Sequence, residues 1–208
     1  MQKKLQQKFT DIFQKYATDS SLEKKFWQEI EKQYSSKKRH YHTLLHLENL
    51  FGELEPIKEK LEDWDTIQFS VFYHDIIYKS FKSNNEEESA SLAIERLREI
   101  GYPEEKIVKC KNQILATKAH NFDDNDTNYF TDADLSVLGK DWATYAIYYQ
   151  QIRKEYSLYP DFLYNNGRKK VLEHFLDMES IFKTEYFQNK YENQARLNIE
   201  KEFQILDK

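Results

Sequence analysis

The chain has 208 residues, enough for one domain with a sizeable core. Only 4 Gly and 3 Pro interrupt it, so the breakers that punctuate β-rich folds are nearly absent, and an aromatic content of 15% must supply much of the core volume. A formal net charge of -5 argues against an extended nucleic-acid surface or an anionic-membrane face, yet leaves room for a small anionic ligand held by local cations.

Apolar residues recur at three- and four-residue spacing along most of the chain, which predicts amphipathic helices. Leu5, Phe9, Ile12, Phe13 and Tyr16 mark the first. Capping residues at Thr18-Asp19-Ser20-Ser21 precede a second, marked by Leu22, Phe26, Trp27, Ile30 and Tyr34. Lys37-Lys38-Arg39 reads as a short solvated connection. A third helix carries His42 and His46 and continues through Leu47, Leu50, Phe51 and Leu54 towards Pro56. Trp64 to Tyr78 is apolar on several faces and therefore central.

Lys79 to Asn85 reads as a loop, and Glu86 to Ile100 as a helix stopped by Gly101. Pro103 opens the next helix at about its first turn, and this runs to roughly Lys118. It contains the single cysteine, Cys110, which has no disulfide partner and sits in an apolar pattern as a buried structural thiol. The Asp/Asn-rich stretch from His120 to Asn128 reads as a loop, followed by a short element at Ala133 to Leu138. Long helices are expected at Asp141 to Tyr156, Asp161 to Leu176 and Phe187 to Phe203. The fold class is all-α. No apolar run approaches the roughly eighteen residues of a membrane span. The first residues carry no signal-peptide core, so a cytoplasmic protein without membrane contact is expected. Helical faces at both termini could serve a homodimer.

Chemistry concentrates in three segments: Tyr41-His42-Thr43-Leu44-Leu45-His46, Phe72-Tyr73-His74-Asp75 and Thr131-Asp132-Ala133-Asp134. Imidazole and carboxylate together suit divalent first-row metals, and such an ion can activate water or polarise a phosphoryl oxygen. His42 and His46, four apart, share one face if both are helical, with Cβ atoms roughly 6 Å apart. Either both ligate one ion, or one ligates while the other faces substrate; a structural or surface role is equally open for an isolated pair. His74 and Asp75 sit in the most apolar stretch of the chain, where an unpaired carboxylate is costly. An ion fed by His46, His74, Asp75 and Asp134 would supply the compensating charge.

The order His46, His74-Asp75, Asp134 resembles the HD-domain superfamily of metal-dependent phosphohydrolases. Further blocks are similar to a bacterial family of predicted HD phosphohydrolases: Asn85-Glu86-Glu87-Glu88-Ser89-Ala90, Ala116-Thr117-Lys118-Ala119-His120 and Asp132-Ala133-Asp134-Leu135-Ser136-Val137-Leu138-Gly139. Arg153-Lys154-Glu155-Tyr156, Gly167-Arg168 and Ala195-Arg196-Leu197-Asn198 extend the likeness, which spans about residues 40 to 200. It implies a single HD-type domain over 1–208, with a helical core at about 40–140 and flanking helices packed on it. It also implies one divalent metal ion (Mn, Fe, Co, Ni, Zn or Mg) on His46, His74, Asp75 and Asp134.

His42 and His46 also look like the HNxxH pair of cyclic-nucleotide phosphodiesterases, with Thr43 in place of the Asn. That likeness gives His42 the role of general acid or substrate contact. Asp75 and Glu86 join His42 as expected catalytic residues, Glu86 through the metal water or a histidine, although an acidic first helical turn is its bland alternative. Lys118, His120 and Arg153 are the candidate phosphate contacts. Arg168 and Arg196 could form bidentate phosphate contacts in the same way as Arg153, although all three arginines have acidic neighbours to pair with. Asp132 is either an acceptor fixing a histidine tautomer or a helix-cap residue.

The expected activity is hydrolysis of a phosphomonoester or phosphoanhydride, most plausibly a small phosphorylated substrate such as a nucleotide. A phosphodiesterase acting on a cyclic or linear dinucleotide is one alternative, weakened by having only His120 between the HD pair and Asp134. A non-catalytic nucleotide-binding or sensing module is another. The last two classes part on turnover.

Overall fold

A computed structural model describes residues 2–121 and 123–207; Phe122, inside the expected 120–128 loop, and the two terminal residues lie outside the described residues. Those described form helices and connections with no strand, so the fold class is all-α. The chain divides into two compact units, one up to Thr131 and one from Asp132. The 40–140 stretch expected as the core therefore includes that boundary. No helix among the described residues is long and apolar enough to cross a membrane.

The first unit contains α1 (Gln2–Phe13), α2 (Ser20–Tyr34), α3 (Leu44–Leu54), α4 (Trp64–Tyr73), α5 (Asn85–Glu99) and α6 (Glu104–Ala116). A 3-10 turn, Glu55–Lys60, follows α3, with Pro56 in its first turn, where a missing N–H costs nothing. Asp19 caps α2 by accepting from the amides of Ser21 and Leu22, at 2.9 and 3.1 Å. Gly101, at φ 69°, ends α5 in a Schellman arrangement: its amide donates to the Arg98 carbonyl and that of Tyr102 to the Leu97 carbonyl, each at 3.0 Å. Pro103 lies just outside α6, one residue before the place expected for it.

Helix α4 is central, as its apolar faces require: every residue from Thr66 to Tyr73 is buried. It packs against α1, α3, α5 and α6. Phe72 meets Phe9 edge-on at 5.3 Å and Phe51 at 5.2 Å between ring centroids. Each large apolar side chain so enclosed contributes about 1.5–3 kcal/mol relative to exposure. Ser70, a buried polar residue of α4, is satisfied by α6: its Oγ donates to Gln113 Oε1 at 2.6 Å and lies 3.3 Å from Cys110 Sγ. Burial pushes the Cys110 thiol up to about 12, as suits a structural cysteine.

Helix α7 (Asn125–Leu135) corrects the reading of 120–128 as loop throughout. Asp124 supplies its cap, accepting from the amide of Thr127 at 3.0 Å and its hydroxyl at 2.8 Å. The element expected at 133–138 is thus the end of α7 and a 3-10 turn, Ser136–Gly139.

The second unit adds α8 (Trp142–Glu155), α9 (Asp161–Asp177) and α10 (Glu185–Leu206), close to the expected spans. Helix α10 is its spine, packing on α9 and on the 136–139 turn. Gly139 makes that approach feasible, since a Cβ there would lie 2.7 Å from the Tyr191 carbonyl oxygen. Asn198 secures the same turn by donating to the carbonyls of Leu138 and Lys140, at 2.8 and 2.7 Å.

Candidate metal centre

The site residues gather where helices begin and end, and His46 alone lies within one. Helix α3 starts at Leu44, so His42 precedes it in a tight bend and only His46 is helical. Helix α4 stops at Tyr73, leaving His74 as its C-cap and Asp75 in the following turn. The shared helical face expected for His42 and His46 therefore does not apply, and His74 and Asp75 lie beyond the end of their helix. The turn lets both side chains of the second pair point to one place.

Three donor atoms converge there. His46 Nε2 and His74 Nε2 are 3.0 Å apart, Asp75 Oδ2 is 3.1 Å from His74 Nε2, and 3.7 Å separates it from His46 Nε2. Metal–ligand bonds of about 2.0–2.2 Å at tetrahedral or octahedral angles place donors roughly 2.9–3.5 Å apart. Two edges of the triangle fall in that interval and the third exceeds it slightly, so these residues could hold a metal ion. Both imidazoles are buried, and Asp75 is open to solvent on one side, its side chain 16% exposed.

His74 is oriented by its own helix. Its Nδ1 lies 3.0 Å from the Val71 carbonyl oxygen, which can only accept, so Nδ1 carries the proton and Nε2 presents a lone pair to the centre. Phe130 closes against the ring edge-on at 5.8 Å. His42 stands on the solvent side: its Nε2 is 3.8 Å from Asp75 Oδ2, and its ring stacks on Tyr78 at 4.0 Å. Tyr41 lies against His42 and His46 at 5.0 and 4.9 Å.

The turn after Asp75 is held by α5. Ser89 Oγ accepts from the Ile77 amide at 3.1 Å and donates to the Ile77 carbonyl at 3.2 Å. Asn85 likewise accepts from the Lys79 amide and donates to the Lys79 carbonyl, each at 3.0 Å. The 85–90 block thus has a positioning use beyond Glu86.

Of the expected site residues, the structure brings His42, His46, His74 and Asp75 together. Glu86 instead neighbours Lys118, at 3.9 Å. Lys118 also binds Glu87 and donates to the Ser83 carbonyl at 2.7 Å; the hydrogen bond to Glu87 raises the pKa of its ammonium. His120 is a non-glycine residue in left-handed conformation, φ 51°.

The remaining residues belong to the second unit or to the end of α7. Asp134 lies in the last turn of α7. Arg153 ties α8 to α9 by donating to Asp161 Oδ1 at 2.6 Å and to the carbonyls of Tyr156 and Tyr159, each at 2.9 Å. Arg196 is taken up by Glu192 and the carbonyls of Leu176, Met178 and Glu179. Asp132, fully buried within α7, is not itself a helix cap: it accepts from the amides of Lys183 and Thr184 and from the Thr184 hydroxyl, and Thr184 is the cap of α10.

Sequence reasoning missed Arg39, Tyr34 and Tyr78. Arg39 is buried at 7% exposure, which corrects its reading as part of a solvated connection; Lys37 and Lys38 are exposed. Compared with protein-family models, curated proteins and solved structures, the chain matches none.

Proposed function

We propose that the chain is a metal-dependent phosphohydrolase, acting on a phosphomonoester or phosphoanhydride of a small molecule such as a nucleotide. The observation that carries this reading is the convergence of His46 Nε2, His74 Nε2 and Asp75 Oδ2 within 3.7 Å, one edge open to solvent. His46, His74 and Asp75 would hold a divalent ion, which when bound would supply Lewis-acid activation of water and of a phosphoryl oxygen. His74 contributes a lone pair fixed by its Val71 hydrogen bond. Asp75 offsets the positive charge. His42, outside the triangle but 3.8 Å from Asp75 Oδ2, is suited to hand a proton to the leaving oxygen. Tyr78 holds that imidazole by its face, leaving Nε2 directed at the centre.

The test is phosphate release from nucleotides and sugar phosphates with Mn, Co, Ni, Mg and Zn in turn, beside Asp75→Ala. Turnover that needs the metal and vanishes in Asp75→Ala is expected, with His42→Ala lowering kcat by about 10²–10⁴-fold. Metal-loaded protein that releases phosphate from none of these substrates would overturn the reading in favour of a diesterase or a sensor. The roles that the sequence likeness gives to Glu86, Lys118, His120, Arg153 and Asp134 are tested by single substitutions in the same assay.

A further inference from the structure

The two turns carrying His42 and His74-Asp75 contain neither glycine nor proline, so local chain chemistry does not dictate their shape. Arg39 is where they meet. Its Nη2 donates to the Ile76 carbonyl oxygen at 2.8 Å and its Nη1 to the His42 carbonyl oxygen at 3.2 Å. The guanidinium lies against the faces of Tyr34 and Tyr78, at 4.7 and 5.8 Å. Each ring in turn holds a site residue: the Tyr34 hydroxyl accepts from the Asp75 amide at 3.2 Å, and Tyr78 stacks on His42.

The charge on Arg39 is unusual in this chain. Among the described residues it has no carboxylate within ion-pair distance, whereas Arg96, Arg98, Arg153, Arg168 and Arg196 each have one. A buried cation is costly unless well bonded, so its partners here, two carbonyls and two ring faces from three segments, indicate a joining role. A planar fork with separate donors can reach both carbonyls while lying flat between rings; a lysine ammonium is a single point and cannot.

We infer that Arg39 is a positioning residue: it clasps the His42 and Ile76 carbonyls and so fixes His42 and His74-Asp75 relative to each other at the centre. This rests on the reading of His46, His74 and Asp75 as metal ligands. Loss of the clasp leaves His46 anchored by α3 and the 77–79 backbone tied to α5, but uncouples the His42 turn from the His74-Asp75 turn and frees the Ile76 carbonyl.

The experiment is Co²⁺ binding to the purified full chain, by calorimetry and by the ligand-field spectrum, for wild type, Arg39→Ala, Arg39→Gln and Arg39→Lys. Arg39→Ala is repeated with millimolar methylguanidinium, and far-UV circular dichroism reports folding. Arg39→Ala is expected to weaken Co²⁺ by about 10–100-fold, the usual effect of losing a group that orients ligands. Its helicity should be retained, methylguanidinium should recover part of the affinity, and Arg39→Lys should stay weak. If Arg39→Ala fails to fold, Arg39→Gln, which keeps a neutral donor, is read in its place. Wild-type affinity and spectrum in a folded variant would overturn the inference while leaving the metal site standing. Absence of Co²⁺ binding by wild type would overturn both.

Discussion

Nε2 of His46 and Nε2 of His74 face each other at 3.0 Å, from helices that α1 and the Phe51–Phe72 contact hold together. Because His74 Nδ1 bonds the Val71 carbonyl, His74 turns Nε2 towards His46 Nε2 and Asp75 Oδ2. These three groups could hold a metal ion, and an ion so held would bind the folded chain far better than the unfolded one.

A divalent ion should therefore stabilise the protein by mass action. At an ion concentration about a hundred times Kd the gain is about 2.7 kcal/mol, which raises Tm by several degrees. The rise should reverse with chelator and be absent in His74→Ala and Asp75→Ala. Thermal melts with and without Mn²⁺, Co²⁺ or Zn²⁺ check this. An equal shift in wild type and both variants would place the ion elsewhere.

Helices were legible where a cap and a periodic apolar face coincide, as at Asp19 before α2, Gly101 after α5 and Asp141 before α8. The breaks at the site were not. Residues 40–43 and 74–78 include no helix breaker, and the apolar run Val71–Phe72–Tyr73 passes without a signal into Ile76–Ile77. What stops α4 is distant in sequence: Tyr34, Arg39 and Ser89 bond the amides of Asp75 and Ile77 and the carbonyls of Ile76 and Ile77, the groups a continuing helix would use. The site's residue types were readable because imidazole and carboxylate are rare in apolar surroundings. Arg39 was not, because Lys37 and Lys38 beside it are solvated and nothing local separates the three. The start of α7 was hidden for a related reason: Asp124 is a good cap, but it stands in a run of Asp and Asn that reads as loop.

Acid sensitivity should be traceable to the cap of α4. Burial alone would raise the Asp63 carboxyl. The Thr66 amide and hydroxyl, at 3.2 and 2.8 Å, and Lys106 Nζ at 3.2 Å outweigh it and lower the pKa below the usual 3.8. The folded state then binds fewer protons than the unfolded state between the two values. The stabilisation is complete above the unfolded pKa and is lost as pH falls through the folded one. Asp63→Asn keeps a good capping side chain but loses the charge, so it should be less stable than wild type near neutrality, by a gap that narrows as pH drops below about 4. Urea unfolding at several pH values measures the gap; a gap that widens in acid would contradict this origin.

The second unit buries a charge pair whose worth lies in not being broken. Arg168 Nε and Nη2 donate to Glu202 Oε1 and Oε2 at 2.7 and 2.9 Å, and the side chains are 8% and 1% exposed. Tyr145 adds a phenolic hydrogen bond to the same carboxylate, and Tyr148 lies under the guanidinium at 5.5 Å. Truncating one partner strands the other without water. Glu202→Ala and Arg168→Ala should each cost about 3–5 kcal/mol. Replacing both by apolar residues of similar size, Arg168→Met with Glu202→Leu, removes the desolvation cost of both ions together and should recover most of that loss. It strands the Tyr145 hydroxyl and removes Tyr148's hydrogen bond to Arg168, for which about 1–3 kcal/mol each is retained as a penalty. Chemical denaturation of the two single variants and the double variant closes the cycle. A double variant less stable than both single variants would mean that the pair itself, with its bidentate geometry, stabilises the unit.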